Sequence, residues 1–120
     1  MNDLSPLNKR TTEFSKSVIV LCKKIRQDSI NRPLISQLVR SGTSIGANYH
    51  EANGASSAKD FKNKIYIAKK EAMETQYWLE VISQSNPDLS SEVDVIKNEA
   101  IELGKILSKI IGTMNTKTKN

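Results

Sequence analysis

The stretch Arg40-Ser-Gly-Thr-Ser-Ile-Gly-Ala-Asn-Tyr-His-Glu-Ala52 decides how this chain folds. It reads as helix although it holds two glycines, each costing about 1 kcal/mol against alanine in a helix interior. Leu34, Leu38, Ser41, Ile45, Asn48 and Ala52 are spaced four and three apart and form one stripe of a 3.5-residue repeat. Ser41 and Asn48 therefore fall where a helical bundle wants leucine. A second stripe runs beside the first through Ile35, Val39, Gly42, Gly46 and Tyr49. Gly42 and Gly46 lie one turn apart and leave a bare surface that another backbone can approach closely. A tight helix crossing, with Ser41 and Asn48 hydrogen-bonded in the core, accounts for the pattern. A ligand-contacting role is the alternative.

Outward from this stretch the chain reads as four helices. Pro33 suits the first turn of the helix that contains it, and Asn53-Gly54 supplies its stop, with Gly54 able to take positive φ. Ser57-Ala-Lys-Asp60 is a capping box that starts the next helix at Ala58. Phe61, Ile65, Ala68, Ala72, Thr75, Leu79 and Ile82 then form the most regular apolar stripe in the chain. Ile67, Glu71, Glu74 and Trp78 flank it, and Met73, Tyr77 and Val81 widen it, so this helix has more apolar surface than one core face needs. Upstream, Ser5-Pro6 reads as an N-cap with proline at N1, followed by Leu7, Phe14, Val18, Leu21 and Ile25, with Thr11 in the skipped position. Downstream, Ser91-Glu-Val-Asp94 reads as a second capping box before Val93, Ile96, Ala100, Leu103, Leu107, Ile110 and Met114. The expected helices cover about 6–27, 33–53, 58–84 and 91–112, with a loose start at 1–5 and a disordered basic tail at 113–120. Three short connections make the neighbours antiparallel, so the fold class is an all-α, up-down-up-down four-helix bundle in a single domain.

The motif Arg-Ser-Gly-Thr-Ser-Ile-Gly-Ala-Asn-Tyr-x-Glu-Ala resembles the signature of the bacterial four helix bundle protein family. That family includes proteins encoded in intervening sequences of large-subunit ribosomal RNA genes. It is related to the accessory variability protein of diversity-generating retroelements. A second block, Asp60-Phe-Lys-Asn-Lys-Ile65 followed by Lys70-Glu-Ala-Met-Glu-Thr-Gln-Tyr-Trp-Leu79, resembles the same family. The resemblance implies an antiparallel four-helix bundle that assembles with itself into a ring, a homopentamer in relatives, and it implies no reaction. Its retroelement branch implies RNA or DNA, and a reverse transcriptase or another protein, as partners.

Composition narrows the classes further. The chain has 120 residues, one cysteine and a net charge of +5. That length fits one domain with a real core. A single cysteine, Cys22, rules out an internal disulfide and makes the cytoplasm the expected compartment. Cys22 sits beside Leu21 and Val18 and reads as a buried, inert thiol. The longest apolar run, from Ser17 to Cys22, is too short to span a bilayer, and the N-terminus is no signal peptide.

Lys59, Lys62, Tyr66 and either Lys69 or Lys70 share one face of the third helix, and Lys16 and Lys23 share one of the first. A cationic line with a ring in it can hold phosphates and stack a base, and on its own it is also what a solvated face looks like. Gln37, Arg40, Ser41, Asn48, Glu51, Glu71 and Glu74 read as polar residues that set register. Antiparallel packing through residues 54–57 pairs Arg40 with Glu71 or Glu74 and sets Gln37 level with Thr75 and Ser41 level with Glu71. A di-iron bundle needs Glu-x-x-His on two helices; this chain has Glu71-x-x-Glu74 and Glu99-x-x-Glu102 and one histidine, His50. No phosphate loop and no nucleophile with a nearby base is evident, so no catalytic residue, metal or cofactor is expected. The expected function is a non-enzymatic nucleic-acid-binding or scaffolding protein working as a homo-oligomeric ring. The alternatives are a protein–protein adaptor using the apolar flank of the third helix and, more distantly, a metal-dependent oxidase.

Overall fold

Ser5 starts the first helix as a cap: its Oγ accepts a hydrogen bond from the Asn8 amide at 3.1 Å, with Pro6 at the first helical position. The computed structural model describes residues 5–119; residues 1–4, expected to be loose, lie outside them with Asn120. Four helices follow in order: α1 (Pro6–Lys24), α2 (Asn31–Asn53), α3 (Ala58–Ser85) and α4 (Ser90–Lys119), with a 3-10 turn, Pro87–Leu89, before α4. Each packs against its neighbours in the cycle α1–α2–α3–α4–α1, and among the described residues the backbones of the diagonal pairs do not approach within 8 Å. This is an all-α four-helix bundle, 51 × 28 × 22 Å.

The expected stripes form the core. Phe14, Val18 and Leu21 of α1 meet Leu38, Ile45 and Ala52 of α2, Ile65, Ala72, Leu79 and Ile82 of α3, and Val93, Leu103 and Leu107 of α4. After Leu107 the buried position is Ile111, while Ile110 is half-buried. A straight helix with 3.6 residues per turn drifts against a 3.5-residue pattern, which moves the seam by one residue.

Several boundaries differ from the expected ones, each for a local reason. α1 stops at Lys24 because Ile25 turns to extended backbone (φ −83°, ψ 132°) and buries its side chain under the bundle end. α2 starts at Asn31, earlier than Pro33, because the Asp28 carboxylate accepts from the amides of Ile30 and Asn31 at 3.0 and 2.7 Å. Pro33 then falls within the first turn, where its missing N–H is not needed. Gly54 ends α2 with φ −102°, so it does not use the left-handed region. Ser57 caps α3 through the Asp60 amide at 3.0 Å, but Ser91 lies inside α4, which continues from the 3-10 turn. Finally, α4 runs to Lys119 where a disordered tail was expected from residue 113. Gly112 sits inside the helix with no positive φ, and nothing from Thr113 to Lys119 breaks a helix.

Gly42 and Gly46 form the close crossing read from the sequence. A Cβ at Gly42 would lie 2.9 Å from Cγ2 and 3.2 Å from Cγ1 of Val18; one at Gly46 would lie 3.2 Å from Cβ and 3.3 Å from the carbonyl oxygen of Thr11. Thr11 is buried with its hydroxyl bonded to the Leu7 carbonyl at 3.0 Å, so a residue that looked like a gap in the α1 stripe is the partner of Gly46. Val18 is β-branched and stiff at χ1, so it cannot swing away from an added methyl. Gly42→Ala is therefore expected to destabilise by about 1–3 kcal/mol despite its better helix propensity. Gly112→Ala, with nothing within 4 Å, should stabilise by about 1 kcal/mol. Urea unfolding of the two variants checks the opposite signs, and adding Val18→Ala to Gly42→Ala should recover part of the loss.

Candidate nucleic-acid interface

α3 is buried along one side through Ile65, Ala68, Ala72, Thr75, Leu79 and Ile82. Its opposite side carries Lys59, Lys62, Tyr66, Lys69, Lys70, Met73 and Tyr77, which at 3.6 residues per turn fall along one line. Tyr66 is 44% exposed, Met73 60% and Tyr77 59%. Lys59 and Lys70 are exposed, and Lys62 and Lys69 are half-buried. None of these four lysines makes an ion pair among the described residues. Lys64, on the flank toward α2, does: Glu51 holds it at 2.9 Å and, through that hydrogen bond and its charge, raises the Lys64 pKa.

The register of α3 on α2 rests on polar contacts. Arg40 Nη1 meets Glu71 at 3.2 Å and Nη2 meets Glu74, whose carboxylate also accepts from the Trp78 indole at 3.3 Å. Thr75 Oγ1 bonds Ser41 Oγ at 3.0 Å in the core and donates to the Glu71 carbonyl at 2.7 Å. The expected pairing of Arg40 with Glu71 and Glu74 forms, whereas Thr75 bonds Ser41 instead of lying level with Gln37. Gln37 accepts from Arg40 at 3.5 Å within α2. Asn48 is half-buried and donates to the Ser44 carbonyl at 2.8 Å, so it bonds within its own helix and not across the bundle.

The register of α4 on α3 is set where Lys97 pairs with Glu80 and where Gly104 lies against Gln76 and Ala72. It brings together lysines far apart in sequence. The C-terminal half of α4, with Lys105 and Lys109, lies beside the N-terminal half of α3, with Lys59, Lys62, Lys69 and Lys70. Glu74 and Glu80 of α3 and Asp88, Glu92, Asp94 and Glu99 near the start of α4 fall in the other half. Charge along α3 and α4 is thus biased toward opposite ends of the long axis, with Asp60 and Glu71 in the basic half and Lys97 in the acidic one as exceptions. Nothing local in the sequence shows which part of α3 Lys105 and Lys109 adjoin. Lys16 and Lys23 are not brought to this patch: they lie on α1, diagonal to α3, and Lys16 pairs with Glu13 at 3.5 Å.

Several other charged groups have structural partners. Arg10 forks onto Glu99 at 2.6 and 2.8 Å, and Lys24 meets Glu92 at 2.9 Å, both joining α1 to α4. The glutamates weighed as metal ligands hold cations: Glu71 and Glu74 hold Arg40, Glu99 holds Arg10, and Glu102 meets Lys105 at 3.4 Å. No group of three or more potential ligands is found among the described residues. At the far end Asn31 and Asn86, both buried, exchange hydrogen bonds at 3.0 and 3.3 Å and tie the start of α2 to the end of α3. The sequence reading missed this pair, since both fall outside any apolar period. No helix among the described residues is long and apolar enough to cross a membrane.

Residues 6–109 match the 23S rRNA-intervening sequence protein family. The chain belongs to that family. A solved structure from Bacteroides thetaiotaomicron, described as a protein of unknown function from the S23 ribosomal protein family, is 37% identical. It covers 87% of this chain and 96% of its own, with a TM-score of 0.77. No curated protein matches the chain. The family match includes the glycine-bearing stretch of α2 and the basic half of α3, and it stops at Lys109, ten residues before α4 ends.

Cys22 is buried, and desolvation pushes its thiol up to about 11 from 9.0. The neutral thiol is the form the fold favours, so its stabilising contribution is full below pH 9.0 and is lost as pH rises toward 11. Thiolate is the reactive species, so a disulfide reagent at pH 8 should label the native protein far more slowly than the unfolded chain. Equal rates would place Cys22 outside the core.

Proposed function

We propose that this protein binds nucleic acid without catalysis, contacting phosphates through the lysines of α3 and α4, and that it does so as a homo-oligomer. The observation that supports the reading most is the charge bias: unpaired Lys59, Lys62, Lys69 and Lys70 share one half of the bundle with Lys105 and Lys109, while the acidic residues of α3 and α4 mostly fall in the other. Lysines spent in internal ion pairs would have few counterions to release on binding a polyanion; unpaired ones retain that driving force. Self-association would repeat the patch and multiply a modest affinity. The α1–α4 seam supports it, since Val20 and Val95 are exposed there and a second copy could cover them. An adaptor role is the second reading, because Tyr66, Ile67, Met73 and Tyr77 leave apolar area on α3.

Fluorescence anisotropy of labelled oligonucleotides across a salt series separates the two. Phosphate binding gives affinity that falls steeply with salt, and replacing Lys59, Lys62 and Lys69 by glutamine should flatten the log–log slope by about 2 for a single strand. Sedimentation of the same sample should give a multiple of the monomer mass. No binding at low salt, or variants that bind as the parent does, would remove the nucleic-acid reading and leave the adaptor.

A further inference from the structure

The geometry points to a single strand, rather than a duplex, as the ligand of this surface; the inference rests on the nucleic-acid reading above. Tyr66, Lys70, Met73 and Tyr77 succeed one another at four, three and four residues, so their side chains emerge along one exposed line of α3. The two tyrosine positions are about 16 Å apart along the helix axis. A duplex keeps its base faces stacked inside and would engage only the lysines, leaving two half-exposed rings with no partner. An open strand offers base faces, and exposed aromatic rings interleaved with cations are the chemistry that receives them.

The cleft beside this line supplies the backbone contacts. Between α3 and α4 a groove of about 380 Å³ has Lys69, Met73, Gln76, Lys105 and Ser108 in its walls, with Ile101 and Gly104 beneath them on α4. Lysines stand on both walls, an amide and a hydroxyl offer further donors, and Gly104 leaves the floor open: a Cβ there would come to 3.8 Å from Gln76 and 3.9 Å from Ala72. A strand laid along α3 thus places bases on Tyr66 and Tyr77 and phosphates against Lys70 on one side and Lys69 and Lys105 on the other. Tyr77 also carries a built-in reporter. Its ring meets Trp78, the chain's one tryptophan, edge to face at 4.9 Å and 75°.

Titration of the full-length protein with oligodeoxythymidylate, and with a duplex of equal length, tests this through Trp78 emission and anisotropy. The single strand should bind at least about tenfold tighter than the duplex and change Trp78 emission. Tyr77→Ala and Tyr66→Ala should each weaken it by about tenfold with the salt slope unchanged, because stacking releases no counterions, and Tyr77→Phe should bind as the parent does. Lys105→Gln should lower the slope. If strand and duplex bind alike and the tyrosine variants match the parent while lysine variants weaken, the single-strand inference is overturned and the phosphate reading stands. If the lysine variants also match the parent, both are overturned.

Discussion

The antiparallel register of α3 between α2 and α4 is the constraint on which the rest depends. On one side the Ser41–Thr75 hydrogen bond and the Arg40 pairs with Glu71 and Glu74 hold it. On the other, Lys97 meets Glu80 and Gly104 receives Ala72 and Gln76. A one-residue slide would break the Ser41–Thr75 bond in the core and leave each hydroxyl only a carbonyl of its own helix, Leu38 for Ser41 and Glu71 for Thr75. The Arg40 pairs are half-exposed on the arginine side and add direction more than stability. With that register held, the basic ends of α3 and α4 must coincide.

Much of this was legible in the sequence because it follows from period and local chemistry. The stripes from Phe61 to Ile82 and from Leu34 to Ala52, the caps at Ser5 and Ser57, and the close approach at Gly42 and Gly46 each need only a few neighbouring residues to be read. Other features were hidden because they are made between remote segments. Asn31 with Asn86, Arg10 with Glu99, and Lys105 beside the basic half of α3 join residues dozens of positions apart. The true start of α2 turned on a side-chain cap, Asp28, that sits outside the apolar pattern. The end of α4 differs because the basic, polar run from Thr113 reads as a disordered tail, whereas Gly112 meets no neighbour and Thr116 bonds back to its carbonyl at 3.0 Å.

The candidate site shows the same division. The lysines and Tyr66 of α3 were visible as a helical face, and the structure leaves that face free of ion pairs among the described residues. Lys16 and Lys23 had the same spacing signal, yet α1 lies diagonal to α3, so periodicity alone could not tell a shared surface from two separate ones. Membership of the 23S rRNA-intervening sequence protein family accounts for the fold and for the α2 and α3 motifs. The assignment of partner chemistry rests on where unpaired cations and exposed rings coincide.

Photo-crosslinking of a thiouridine-substituted single-stranded RNA, with the modified peptides mapped by mass spectrometry, tests that assignment most directly. The account predicts adducts on α3 from Lys59 to Tyr77 and on α4 around Lys105 and Lys109. Adducts concentrated on α1 around Lys16 and Lys23, or spread evenly over the surface, would contradict it.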